Sequence, residues 1–132
     1  MTIDAQITFL PSSNLTRSRA YYERILGLEL VADQGACLIY RATGSGYVGV
    51  CERGHMAATD GVIVTFVTDD VDGWCGRIVA SGGEIDRGPE HSDRFAIYHA
   101  FFRDPDGNVL EIQRFDDAGW ASAPGGLSLG RP

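Results

Sequence analysis

Apolar residues recur at helical spacing in two stretches of the chain, and short alternating runs surround each stretch. The first predicted helix begins at Leu15 and meets a stop signal at Gly27; the second begins at Val71 and stops at Gly83. Both pairs of equivalent positions are 56 residues apart, since 71 − 15 and 83 − 27 give the same number. A repeat of this length indicates two copies of one supersecondary unit, neither of which buries its sheet face alone.

Short β-prone runs complete each copy. They lie at residues 6–10, 28–32, 37–42 and 47–52 in the first copy and at 62–68, 84–86, 96–102 and 109–115 in the second. The order in each copy is therefore strand, helix and three strands. We expect an α+β fold of two βαβββ modules, at about residues 4–55 and 60–115, that share a cleft. The segment 116–132 is rich in Gly, Ala, Ser and Pro and is predicted to be a flexible tail.

The sequence RDPDGN at residues 103–108 predicts a β-turn between the last two strands. Pro105 presets the backbone angle of a turn, and Gly107 tolerates a positive φ. If the two strands pair symmetrically about this turn, Ala100 lies opposite Glu111, and His99 points to the other face of the sheet.

Composition and charge narrow the class of protein. With 44% hydrophobic and 22% charged residues in a chain of 132, we expect one globular domain. The net charge of −7 leaves no positive surface for nucleic acid, and no apolar run approaches the length of a membrane helix. Three widely spaced cysteines argue against a disulfide framework, and Cys51 and Cys75 are expected to be buried small hydrophobic residues. We expect a cytoplasmic protein without an export signal.

Three segments together resemble the vicinal oxygen chelate superfamily. They are the first helix, NLTRSRAYYERILGLEL, the entry to the second helix, VTDDVDGW, and the closing hairpin, FFRDPDGNVLEIQRF. That superfamily includes glyoxalase I, bleomycin-resistance proteins, fosfomycin-resistance enzymes and extradiol dioxygenases, and the resemblance covers about residues 4 to 115. It implies an open curved sheet around a ligand cleft, commonly in a homodimer. In metal-dependent members, it also implies one divalent ion held by the first and last strands of each module.

Only part of the metal-binding pattern is found in this sequence. Glu111 stands where the family has its glutamate ligand, whereas Ile63 stands where a histidine is expected. On the first strand either Gln6 or Ile7 holds the corresponding place, and Glu52 is expected one residue from the position parallel to Glu111. One good ligand and two weaker ones, Gln6 and Glu52, are fewer than a divalent ion normally takes from a protein. We therefore expect no cofactor, with one Ni, Zn, Fe or Mn ion as the alternative.

Polar and aromatic side chains of the predicted strands supply a candidate ligand site. Its predicted lining is Gln6, Phe66, Tyr98, Phe102, Glu111 and Gln113. A carboxylate in such a cleft suits a general base or a clamp for a cationic ligand, so Glu111 is also the catalytic candidate if the protein is an enzyme. His55 and His91 fall in predicted loops and are expected to be solvated.

Three functions follow from these residues. The first is a metal-independent protein of the bleomycin-resistance type that sequesters an aromatic or cationic compound. The second is a metal-dependent glyoxalase-like lyase or extradiol dioxygenase acting on vicinal oxygens, and the third is a metal-free enzyme with Glu111 as general base. The expected partners are a small molecule and a second copy of the chain, with no nucleic acid and no membrane.

Overall fold

The computed structural model describes residues 1–53 and 60–116. His55 and almost all of the predicted tail lie outside these residues, so the predictions made for them stay untested. The fold is built from two modules with the same order of elements, which confirms the predicted α+β class. Module one contains β1 (Gln6–Ser12), α1 (Leu15–Ala20) followed by a π-helical turn (Tyr21–Ile25), β2 (Glu29–Asp33), β3 (Cys37–Arg41) and β4 (Gly46–Glu52). Module two contains β5 (Ile63–Val67), α2 (Val71–Ala80), β6 (Arg87–Ser92), β7 (Ile97–Arg103) and β8 (Val109–Phe115).

Each module forms one four-stranded sheet. The strand orders are β1-β4-β3-β2 and β5-β8-β7-β6. In both sheets the first and last strands of the module are parallel, and the other pairs are antiparallel. Ile7 pairs with Tyr47, and Ile63, which lies 56 residues after Ile7, pairs with Val109. The two modules therefore superimpose in register as well as in order.

Capping residues begin and end the helices where the sequence predicts. The Asn14 side chain accepts a hydrogen bond from the backbone N–H of Arg17, and Asp70 does the same for Gly73. The first helix ends as the chain reaches Gly27, whose φ of +71° is a conformation that favours glycine. Among the described residues, no helix is long and apolar enough to span a bilayer.

One core joins the two modules and defines two kinds of sheet face. We call the face of each sheet that packs into this core its inner face and the opposite face its outer face. Inner-face residues of both sheets belong to the same buried cluster, together with the helices: Leu10, Leu38, Tyr40, Val48 and Val50 from module one, and Ala100, Phe102, Leu110 and Ile112 from module two. Because side chains alternate along a strand, the residues between them lie on the outer faces, away from the shared core.

Strand β6 lies later in the chain than predicted. The expected strand at residues 84–86 is wrong, and β6 instead runs through Arg87–Ser92, a polar segment that contains Pro89. Within the described residues β6 is the edge strand of its sheet, next to β7. An edge strand tolerates proline and charged side chains because one side of its backbone needs no partner. Local hydrophobicity therefore gave no signal for this strand.

Two of the cysteines are paired, contrary to the prediction from their number and spacing. The antiparallel register of β3 and β4 places Cys37 directly opposite Cys51, with a Cα–Cα distance of 4.1 Å, and a disulfide joins them. The two lie 14 positions apart in sequence, but a hairpin brings them side by side. Cys51 is buried as expected, but it is bonded to Cys37, whereas Cys75 is a free, buried thiol as predicted.

The turn at residues 104–108 fastens module two to the start of α1. The Asp106 carboxylate accepts hydrogen bonds from the backbone N–H of Ser13 at 2.9 Å and from the Arg17 guanidinium at 3.1 Å, and Ser18 also donates to it. Burial by itself raises the pKa of Asp106, but the Ser13 bonds and the Arg17 charge outweigh it and hold this pKa below its ordinary value of 3.8.

We expect Asp106→Asn to lower the free energy of unfolding by about 1 kcal/mol at pH 7. A lowered pKa in the folded state contributes stability above the ordinary pKa, and that contribution is lost as the pH falls through the lowered value. The difference between wild type and variant should therefore shrink below pH 4. Urea unfolding of both proteins at pH 7 and pH 3.5 measures it, and an equal difference at both values would contradict this assignment.

Candidate functional site

The register of β7 and β8 places His99 beside Glu111. The structure pairs Phe101, not Ala100, with Glu111, because five residues separate the last paired positions, Arg103 and Val109. The predicted symmetric pairing is therefore wrong by one residue. In a strand a shift of one position turns a side chain to the opposite face, so His99 lies on the same outer face as Glu111.

Three polar side chains converge on the Glu111 carboxylate on the outer face of module two. Thr65 Oγ1 donates to Glu111 Oε1 at 2.8 Å, and His99 Nδ1 lies 2.6 Å from Glu111 Oε2. The Gln113 amide, with its nitrogen turned toward Glu111, donates to the two carboxylate oxygens at 3.2 and 3.3 Å. We call Thr65, His99, Glu111 and Gln113 the Glu111 cluster.

The Glu111 cluster is largely shielded from solvent. The exposed fractions of His99, Glu111 and Gln113 are 6%, 7% and 8%. Buried polar groups need hydrogen-bond partners, and here each member supplies one to the carboxylate. An ionised carboxylate only accepts, so His99 donates through Nδ1–H, as Thr65 donates through its hydroxyl.

Aromatic and charged residues of β6 and β7 flank the cluster. The rings of His99 and Phe101 meet edge to face, with their centroids 5.0 Å apart. The Arg87 guanidinium lies 6.0 Å from the centre of the Phe101 ring and forms an ion pair with Glu90 at 2.6 Å. Glu90 is the register partner of His99. The outer face therefore changes from hydrogen-bonding groups at its centre to a ring and an ion pair at its edge.

The outer face of module one is apolar where module two carries the cluster. Phe9 lies 56 residues before Thr65 and is its counterpart in module one. Gly49 pairs with Phe9 as Glu111 pairs with Thr65, so Gly49 is the counterpart of Glu111. The Phe9 ring lies over Gly49 and occupies the space that a side chain at that position would need. Tyr47 is the next residue of β4 on this face, and the Arg41 guanidinium makes a cation–π contact with it, 5.2 Å from the ring centre. This face therefore offers rings and aliphatic groups.

The predicted ligand-binding residues are divided between different parts of the fold. Glu111 and Gln113 come together in the cluster, but Phe66 and Phe102 lie on the inner face and line a small cavity of about 130 Å³ beside Trp74. Phe102 is only 1% exposed, so it is a core residue. The split follows from alternation, because even-numbered positions of β7 and odd-numbered positions of β8 face opposite ways.

Tyr98 and Gln6 also lie away from the Glu111 cluster. The Tyr98 hydroxyl donates to Asp72 of α2 at 2.6 Å, and this hydrogen bond raises the pKa of Tyr98. Gln6 lies on the same side of β1 as Leu10. It lines an open groove of about 900 Å³ between β1 and β5. That groove shares Thr65 with the cluster but not Glu111.

The donor atoms available do not fit a divalent ion of the kind the resemblance implies. The resemblance implies a histidine ligand at Ile63, and Ile7 is the counterpart of Ile63 in module one. Gly49 is the counterpart of Glu111, so only Glu111 of these four positions has a side-chain donor atom. The register also shows that Ile7, and not Gln6, holds the position on the first strand that corresponds to Ile63. Across residues 1–53 and 60–116, no group of three or more His, Cys, Asp or Glu side chains is arranged to hold a metal ion.

Glu52 does not supply the missing ligand. It was expected one residue from the position parallel to Glu111, but that position belongs to Gly49, three residues earlier. An odd separation turns the Glu52 side chain to the opposite face of the sheet. It lies exposed at the end of β4, opposite Ser12. The prediction for this residue is therefore wrong.

Sequence reasoning missed two members of the cluster, Thr65 and His99. The signal for His99 was available, because Glu111 and Gln113 alternate on β8 as His99 and Phe101 alternate on β7. Only the length of the turn was needed to choose between the two possible faces. Thr65 had no such signal, since a threonine inside a β-branched strand is typical of any sheet.

Comparisons with known proteins agree with this architecture. Residues 5–112 match the sequence family described as the Glyoxalase/Bleomycin resistance protein/Dioxygenase superfamily. No curated protein gives a sequence match.

Solved structures with the same fold include an integron cassette protein and two proteins from Streptomyces. The first, from the mobile metagenome of the Halifax Harbour sewage outfall, has a TM-score of 0.73 at 20% identity and covers 84% of this chain and 97% of its own. TnmS3, an antibiotic binding protein from Streptomyces sp. CB03234, has a TM-score of 0.72 at 26% identity and covers 86% and 98%. A glyoxalase/bleomycin resistance protein from the same source has a TM-score of 0.67 at 24% identity and covers 82% and 97%. With most of its length matched, the chain belongs to the glyoxalase/bleomycin resistance protein/dioxygenase superfamily.

Proposed function

We propose that this protein is a metal-independent small-molecule binding protein of the bleomycin-resistance type, and that its ligand is an aromatic compound. The observation that supports metal independence is the set of side chains at the four expected ligand positions: Ile7 and Ile63 on the first strands and Gly49, the counterpart of Glu111, have no side-chain donor atom for an ion. Glu111 itself is engaged by Thr65, His99 and Gln113. The similarity to TnmS3, an antibiotic binding protein from Streptomyces sp. CB03234, supports the same class.

We further propose that the ligand cleft is completed by a second copy of the chain. Both sheets pack their inner faces into one core, so their outer faces point away from it. Each outer face leaves large apolar side chains in solvent: Ile7 is 41% and Phe9 45% exposed in module one, and Ile63 is 49% and Val67 41% exposed in module two. Exposed apolar patches on a soluble protein mark interaction surfaces.

In the proposed homodimer, the outer face of module one in one copy closes over the outer face of module two in the other. The two faces complement each other chemically. One offers rings and aliphatic groups around Phe9, and the other offers hydrogen-bonding groups around Glu111. Ligand pockets typically combine apolar walls with a few convergent polar groups.

Elemental analysis and thermal melts test metal independence. For protein purified without chelators and then dialysed, we expect far less than one metal per chain and no rise in Tm with added Ni, Zn, Fe(II) or Mn. A ligand at 100 times its Kd stabilises the native state by about 2.7 kcal/mol, so a real metal site would be visible as a shift of several degrees. About one tightly held metal per chain would overturn the proposal in favour of a metal-dependent enzyme.

A further inference from the structure

Most of the hydrogen-bonding capacity of the Glu111 carboxylate is used by neighbouring side chains. Its two oxygens accept hydrogen bonds from Thr65, His99 and Gln113, at distances from 2.6 to 3.3 Å. A carboxylate holds about four acceptor sites, and the three side chains that converge here occupy most of them.

The same geometry orients His99. Its Nδ1–H is directed at Glu111, and the edge of its ring meets Phe101. Nδ1 is therefore committed, and Nε2 is the ring nitrogen that stays available to a ligand. A histidine held through one nitrogen by a carboxylate presents the other in a defined direction and tautomer.

We propose that His99, and not Glu111, makes the polar contact with the ligand, and that the ligand is a planar aromatic compound with an acidic hydroxyl group, such as a phenol. Glu111 is then a positioning residue that acts through His99. This inference rests on the proposed binding function and names the class of compound that the same cleft takes.

A phenol fits His99 Nε2 because its hydroxyl donates a hydrogen bond to the ring nitrogen that carries no proton. A phenol O–H is a stronger donor than an aliphatic O–H, because the aromatic ring spreads the negative charge on the oxygen. A quaternary cation has no O–H or N–H to donate.

The surroundings of His99 favour a planar compound. On one side the Phe101 ring lies 5.0 Å from the His99 ring at a steep angle, and the Arg87 guanidinium lies over the Phe101 ring. On the other side, across the strand pairing, lie Gln113 and then the half-exposed Val67. A ring lying on this surface contacts apolar atoms on both sides of a single hydrogen-bonding nitrogen, as aromatic ligands do in mixed pockets.

The charged groups that face His99 come from the two neighbouring strands. Glu111 bonds to it from β8, and Glu90, which forms an ion pair with Arg87, is its register partner on β6. The two carboxylates and one guanidinium leave the surroundings net negative. A neutral phenol that donates a hydrogen bond to His99 meets less repulsion than a ligand carrying a fixed negative charge, such as a carboxylate.

The test compares two probes, 4-nitrophenol and 4-nitroanisole. In the second, a methyl group replaces the hydroxyl proton of the first. For wild type we expect 4-nitrophenol to bind about tenfold more tightly by calorimetry, which is the size of one hydrogen bond in a desolvated site. His99→Phe should reduce this preference to about one. His91→Gln is the matched control, because His91 is an exposed histidine of β6 that bonds to Asp116, and it should leave the preference unchanged.

The role of Glu111 as a positioning residue has its own readout. Glu111→Gln still offers an acceptor to His99 Nδ1–H, so we expect it to keep most of the phenol preference. Because a neutral amide accepts a hydrogen bond more weakly than a carboxylate, the variant should lower the fraction of His99 that carries its proton on Nδ1, as read from the ¹H–¹⁵N spectrum of the His99 ring. If Glu111→Gln abolishes the preference while His99→Phe keeps it, the two roles are reversed and the inference is overturned.

Two outcomes separate the inference from the function on which it rests. Equal affinity of wild type for the two probes would leave a binding protein but overturn the role of His99. Binding of neither probe would contradict the proposed aromatic ligand and the inference together. Should His99→Phe fail to fold, the ring spectrum of wild type decides. Saturating 4-nitrophenol must shift the His99 Nε2 resonance and 4-nitroanisole must not, and a spectrum unmoved by 4-nitrophenol would refute the contact.

Discussion

Replacement of Asp104 by alanine is expected to lower the free energy of unfolding by about 3 kcal/mol or more, and most of the effect comes from donors left without an acceptor. The Asp104 carboxylate is 5% exposed and accepts hydrogen bonds from Tyr22 Oη at 2.8 Å and Asn108 Nδ2 at 2.8 Å. It also accepts the backbone N–H groups of Asp106 and Asn108 at 2.9 and 3.0 Å. Tyr22 and Asn108 are buried to 0% and 2% exposure, so water does not replace the lost acceptor. Urea unfolding measures the difference.

Tyr22→Phe is the matched control, because it removes one of these bonds and leaves the carboxylate satisfied by the others. We expect it to cost about 1 kcal/mol. An Asp104→Ala protein as stable as Tyr22→Phe would contradict the view that this turn joins the modules.

The effect of pH distinguishes Asp104 from its neighbour Asp106. Burial raises the pKa of Asp104 above 3.8, although hydrogen bonds from Asn108 and Tyr22 act against it. A carboxyl whose pKa is raised in the folded state adds stability that is fully present below the ordinary pKa and is lost as the pH rises through the folded value. The cost of Asp104→Ala should therefore grow in acid, whereas the cost of Asp106→Asn should shrink. Unfolding experiments at pH 7 and pH 3.5 show both trends.

Ile63→Asp is expected to convert the protein to a monomer and to weaken ligand binding at least a hundredfold. Ile63 is 49% exposed on the outer face of module two, so a charge there costs the isolated chain little. In the proposed homodimer the same charge is buried without a partner, which costs about 3 kcal/mol or more. Sedimentation velocity reports the association state, and calorimetry with 4-nitrophenol reports binding.

Val79→Asp supplies the comparison. Val79 is an apolar residue of α2 that is 57% exposed and does not lie on an outer face, so the substitution should change neither association nor binding. If Ile63→Asp stays dimeric and binds as wild type does, the cleft does not form between these faces. A fall in melting temperature for both variants alike would instead point to a general effect of a surface charge.

Local patterns in the sequence predicted the modules and their helices well, for a clear physical reason. Helix caps and stops act within a few residues, so the roles of Asn14, Gly27 and Asp70 at the helix ends were predicted from the local sequence. The match of residues 109–115 to β8 rests likewise on strict alternation and on the turn before it. Patterns failed at β6, where an edge position removes the need for apolar residues.

The sequence predicted only two of the four members of the Glu111 cluster. Glu111 and Gln113 were predicted together because they alternate on one strand. Their partners Thr65 and His99 come from other strands, and sequence spacing does not state which residues of two strands face each other. The one-residue error at the turn changed the predicted partner of Glu111. It also placed His99 on the wrong face, since side chains alternate between the two faces along a strand.

The sequence by itself determined the two βαβββ modules, the capped helices and the isoleucine, Ile63, at the position where the resemblance implies a histidine, because each depends on residue type or on neighbours a few positions away. Tertiary structure alone decided the Cys37–Cys51 disulfide, the convergence of His99 and Thr65 on Glu111, and the replacement of a ligand by Gly49 under the Phe9 ring. Each of these depends on strand register, which turn length and burial on both faces set together.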